Sequence, residues 1–142
     1  MDFNSQMEMK GRLTISINDE VVRDIDNLVV TTGKEYVASR MKDATATAMS
    51  HMAVGTGSTA AAAGDTTLGG ESARVALNST TVSGAVVTYV ATFPAGTGTA
   101  ALTEAAVLNA SSGGTMLCRT VFAVVNKGAN DVMAVSWAVT AS

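Results

Sequence analysis

A chain of 142 residues, 47% hydrophobic and 15% charged, has apolar side chains enough for one core and too few residues for two independent ones. Its single cysteine, Cys118, and single histidine, His51, exclude an internal disulfide framework and a structural Cys/His zinc cluster. A net charge of -3 excludes a generic phosphate-neutralising nucleic-acid binder, and the chain has no clear secretory apolar region and no apolar run of membrane-spanning length.

The first eleven residues, MDFNSQMEMKG, hold three methionines and Phe3 with no period, and they read either as an arm that orders against a partner or as a frayed terminus. Deleting residues 2 to 10 is therefore expected to leave the domain, residues 12 to 142, with nearly unchanged stability. From Gly11 onward Leu13, Ile15 and Ile17 alternate with Arg12, Thr14 and Ser16, the period of a half-buried strand. Asn18, Asp19 and Glu20 form a turn by composition, and Val21 to Val30 reads as a second strand interrupted at Asp24 to Asn27. Thr31 to Glu35 then opens one short helix that carries Tyr36, Val37 and Met41 near one face and ends near Met41 or Lys42.

Beyond Asp43 the composition shifts to Ala, Gly, Ser and Thr. Strands are expected at Ser50 to Val54, Ser72 to Leu77, Ala85 to Phe93, Thr103 to Leu108, Thr115 to Val124 and Val132 to Thr140. Turn-forming segments separate them, among them Asn78 to Gly84 and Asn109 to Gly114. Eight regularly spaced strands predict an all-β fold: a single jelly-roll-like antiparallel β-sandwich with one short helix and an N-terminal arm. Trp137, Val135, Phe93, Tyr89, Phe122, Leu117 and Ile15 are the candidate core.

Charge is unevenly placed. Residues 1 to 50 hold 14 of the 21 Lys, Arg, Asp and Glu, and the other 92 carry only Arg74, Arg119, Lys127, Asp65, Glu71, Glu104 and Asp131. A lone domain normally carries about 25% charged residues. The later segment is therefore either solvated by hydroxyls or covered by other protein.

Catalytic chemistry finds little to converge on. His51 follows Ser50 on an expected strand, where neighbours point to opposite faces, so Ser50 is badly placed for activation. Cys118 lies inside an apolar strand and behaves as a small buried hydrophobe. The stretches Gly55-Thr56-Gly57, Gly64-Asp65 and Gly69-Gly70-Glu71 lack the ending of a phosphate loop, and Asp24 and Asp26 have no further ligands for calcium. No cofactor, no metal and no enzymatic activity are expected, so a binding or assembly role survives by elimination.

Certain phrases then stand out: a strand entering AVGTG, the stretch GDTTLGGESAR, the hairpin TEAAVLNASSGGT and the closing VNKGANDVMAVSWAVT, preceded by NLVVTTGKEYVASRM. In this order and spacing, from about Leu28 to Thr140, the chain resembles small virion structural proteins of tailed bacteriophages. Members of that group bear labels of two kinds, capsid cement or decoration protein and tail fibre. The resemblance implies a component of the phage particle, made in the host cytoplasm and carried on the virion.

Size favours cement on the capsid exterior, since 142 residues leave no room for a fibre shaft and a separate tip. The alternative is a small tail or tail-fibre-associated protein. The expected partners are the major capsid protein and further copies of the chain in a homotrimer, with neither nucleic acid nor membrane. Phe3, Met7 and Met9 are the expected apolar anchors, and Lys10, Arg12, Arg23, Asp24 and Asp26 the polar contacts that set register.

Overall fold

The computed structural model describes residues 7–141, so Phe3 lies outside the described residues. Within them β1 (Met9–Ile17) and β2 (Glu20–Val29) form the expected hairpin. Its turn is Asn18-Asp19, at φ 48° and 69°, in the left-handed region that these two residues tolerate better than other side chains do. β2 is not interrupted at Asp24 to Asn27. Arg12 and Thr14 stand opposite Asp26 and Asp24 on the solvent side, while Leu13 faces Ile25 on the other, so the charged residues continue the alternation.

β1 begins earlier than the composition suggested. Met9, Lys10 and Gly11 pair with Ala141, Thr140 and Val139, which brings the last three residues of the expected arm into the sheet. Helix α1 (Thr31–Lys42) follows, close to its expected limits. Its buried Gly33 lies against the backbone of Leu117, where a Cβ would come within 2.0 Å of the carbonyl oxygen, so the contact requires glycine. Tyr36 and Val37 pack on the core, whereas Met41 is 75% exposed.

The remaining strands are β3 (His51–Gly55), β4 (Glu71–Ala76), β5 (Ser79–Ser83), β6 (Val86–Phe93), β7 (Ala100–Leu108), β8 (Met116–Lys127) and β9 (Met133–Ala141). Among the described residues nine strands stand where eight were expected. The addition is β5, in the segment expected as a turn, because Thr80, Thr81 and Val82 are good strand formers and the reversal needs only Gly84-Ala85.

All pairings are antiparallel, in one curled sheet of order β4-β3-β7-β8-β2-β1-β9-β6-β5. The sheet is thinnest in the middle, where β2 leaves β1 and meets β8 through only Leu28↔Arg119 and Val29↔Cys118. Around that crossing the two halves curl toward each other, and β4 approaches β6. One apolar core fills the space between, joining Leu13 and Ile15 of β1 to Met52 and Val54 of β3, Leu117 and Phe122 of β8, and Trp137 of β9. All seven candidate core residues are buried in it. Alternation explains the outcome on β6 and β9: the bulky face of each, Tyr89 to Phe93 and Met133 to Val139, is the inner one.

Candidate functional site

The most heavily bonded polar group in the fold lies where no charge would be expected, within the apolar run of β7. Glu104 is 0% exposed. One carboxylate oxygen, Oε2, accepts from the backbone N–H groups of Gly57 and Gly70, both at 2.7 Å. Oε1 accepts from Gly69 N–H at 2.8 Å and from Arg119 Nη2 at 3.0 Å. Arg119, on β8 and 3% exposed, also donates to Asp65 Oδ2 at 2.9 Å and to the Thr59 carbonyl at 3.0 Å.

Together these residues clasp the connection between β3 and β4, residues 56–70, down on the sheet. The glycines there follow from the clasp. A Cβ on Gly57 would stand 2.5 Å from Glu104 Oε2, and one on Gly55 2.4 Å from the Gly70 carbonyl. Burial by itself raises the pKa of Glu104, but the three backbone donors and Arg119 outweigh it and hold the carboxyl below the usual range. With both oxygens engaged, this carboxylate is a structural anchor rather than a base awaiting a substrate.

Sequence reasoning passed over Glu104, Arg119 and Asp65. A usable signal was present, because a lone charge inside ALTEAAVL or MLCRTVF must find a partner once the strand is buried.

The residues expected to bind a partner do not form one site. Arg12, Asp24 and Asp26 share the outer face of the hairpin, with Arg12 Nε 2.7 Å from Asp24 Oδ1 and Arg12 Nη1 2.9 Å from Asp26 Oδ1. The hydrogen bond from Arg12 lowers the pKa of Asp24. Lys10 stands 3.5 Å from Glu8. Arg23 is separate from this group: it donates to the carbonyls of Ala123 and Val124, at 3.0 and 2.7 Å, and so ties β2 to β8 where the ladder between them has ended.

Met7 and Met9 lie elsewhere, beside α1. With Val37, Met41, Val87 and Val139 they line an apolar groove of about 410 Å³ between the helix and the ends of β6 and β9. Met7 is 61% exposed there and Met9 is partly buried against the core. The structure therefore places the expected polar and apolar contacts at separate positions along the hairpin.

Ser50 and His51 depart from expectation. Ser50 precedes β3 rather than lying within it, so strand alternation does not apply, and its Oγ is 2.7 Å from His51 Nδ1. Cys118 is fully buried and burial pushes its thiol pKa up, which suits an inert core position. Among the described residues no cluster of three or more His, Cys, Asp or Glu has the arrangement of a metal site, and no helix is long and apolar enough to cross a membrane.

Six of the seven charges of the later segment are drawn inward or into pairs, and the seventh, Asp131, is held by neutral donors. Glu104, Arg119 and Lys127 are buried, the last donating to the Pro94 carbonyl at 3.0 Å. Arg74 pairs with Glu71 at 2.7 Å and also donates to the carbonyls of Ala110 and Gly113. Asp65 receives Arg119, and Asp131 accepts from Asn18 and from Gly128 N–H. The outer surface built from residues 51–141 is consequently poorer in free charge than its composition implies.

No family model, no curated protein and no solved structure matches this chain.

Proposed function

We propose that this chain is a non-enzymatic structural component of a tailed-phage particle, a capsid cement or decoration protein that bridges capsid subunits on the outside of the head. The observation that carries the reading is the near absence of free charge on the surface formed by residues 51–141, where each of the seven charged side chains is engaged within the fold. Such a surface suits burial against protein, since little charge has to be desolvated.

The resemblance of the sequence phrases to small phage virion proteins supplies the particle. We read the curled sheet as a jelly-roll-like sandwich, supported by the core that its two halves share. The charged face of the hairpin and the methionine-lined groove supply polar and apolar contacts to the major capsid protein, and a homotrimer multiplies weak contacts through effective concentration. The mechanism is added buried area across subunit joints, which raises the free energy needed to separate them.

The test is the copy number of this chain relative to the major capsid protein in purified particles, measured by quantitative mass spectrometry. Comparable numbers, with heads that release DNA at lower temperature when the chain is missing, support cement. A few copies per particle, with loss affecting adsorption or tail assembly, would replace it with a tail component.

A further inference from the structure

The two edges of the sheet are built differently. On one edge β4 carries Glu71 and Arg74, a paired charge of the kind that discourages further strand addition. The other edge, β5, has the sequence Ser79-Thr80-Thr81-Val82-Ser83, exposed at every position and without charge or proline. No charged residue occurs anywhere from Val75 to Thr103, so β6 beside it is equally neutral.

Register adds a second observation. Thr80 and Val82 stand opposite Tyr89 and Val87, and these in turn stand opposite Trp137 and Val139. Directly opposed residues share a face, so Val82 continues the inner, core-forming face of the sheet. Yet it is 72% exposed: β5 carries that apolar face beyond the layer that covers the rest of it.

We propose that β5 is a strand-pairing site for a second copy of this chain, joined antiparallel across a twofold axis at Thr81. The register that pairs all five residues sets Thr81 opposite Thr81 of the second copy, Thr80 opposite Val82, and Ser79 opposite Ser83. Every pair is neutral, so a twofold that sets the strand against itself brings no like charges together. The open N–H and C=O groups of the edge gain partners, and Val82 gains a neighbour on its own face.

Five residues make a small contact by the measure of stable interfaces, which bury about 1,200–2,000 Å². The association is therefore weak in solution and gains from any particle that holds copies side by side. It does not depend on the phage reading, and it is a different contact from the threefold association proposed above.

Thr81→Cys tests it directly. Opposed residues of antiparallel strands have Cα atoms about 4.5–5.5 Å apart, within the range a disulfide spans. The wild-type background is silent because Cys118 is buried. Mild oxidation with diamide is expected to yield a covalent dimer from Thr81→Cys and none from Val124→Cys, an exposed position on β8. In sedimentation, the weight-average mass of the wild type should rise with concentration through a step that doubles it, and Thr81→Lys should weaken that step about tenfold or more while leaving any threefold association in place. Equal cross-linking at both cysteine positions, or self-association that Thr81→Lys leaves unchanged, overturns the proposal. Melting curves of all three variants exclude misfolding as the cause, and Thr81→Ser should behave as wild type.

Discussion

Glu104 and Arg119, on the neighbouring strands β7 and β8, meet at 3.0 Å with both side chains sealed from solvent, and between them they fix the long loop 56–70. A buried pair of this kind need not add stability relative to apolar residues, but removing the carboxylate takes a charged acceptor from three backbone N–H groups and leaves Arg119 with Asp65 as its remaining counter-ion. Glu104→Gln should therefore lower stability at neutral pH by about 3–5 kcal/mol, a large part of what a domain of this size possesses. Urea denaturation of the two proteins checks this.

The same carboxylate makes the fold acid-sensitive. Its pKa is depressed in the folded protein, so its contribution is present above the unfolded value of about 4.3 and is lost as pH falls through the lower folded value. The melting temperature of the wild type should hold down to about pH 5 and then fall, and Glu104→Gln should fall less steeply over that acid range. Thermal melts from pH 7 to pH 2 give the comparison.

Glycine requirements should sort by what surrounds them. Gly57→Ala drives a methyl group into Glu104 and the Gly69 backbone and should destabilise by several kcal/mol, on the order of the clasp itself. Gly64→Ala, in the same loop with nothing within 4 Å, should be neutral or gain about 0.4–1 kcal/mol. Measured side by side, the two separate steric demand from loop flexibility.

Gly11 and Asn27 form a coupled pair across β1 and β2. A Cβ on Gly11 would lie 1.5 Å from Asn27 Oδ1, and the Asn27 amide is sealed from solvent. Gly11→Ala should destabilise strongly, Asn27→Ala should cost little, and the double variant should recover most of the loss. A double-mutant cycle reads the coupling.

Truncation should depend on where it stops. Deleting residues 2 to 6 leaves β1 whole and should preserve the melting temperature, while deleting residues 2 to 10 removes the pairings of Met9 with Ala141 and Lys10 with Thr140 and should lower it. The first deletion also tests Phe3 as an anchor, by particle binding at unchanged stability.

Much of the architecture could be read from local pattern. Alternation along Leu13 to Ile17, Val87 to Phe93 and Met133 to Val139 determined both the strands and their inner faces, because a period of two has only one way to bury its bulky side. The limits of α1 followed from the switch in period after Val30. What the chain alone could not determine was pairing between distant segments: β2 passing from β1 to β8, β5 lying at an open edge, and β1 reaching back to Met9 because Ala141 lies beside it.

The same holds for the sites. Arg12, Arg23, Asp24 and Asp26 stood out by position and residue type alone, but that Arg12 pairs with the two aspartates, and that Arg23 ties down β8 instead, depends on side-chain direction. The clasp of Glu104, Arg119 and Asp65 joins strands to a loop across 34 to 60 residues of chain. Burial turns an unremarkable glutamate into an anchor, and only the tertiary structure decides which residues are buried together.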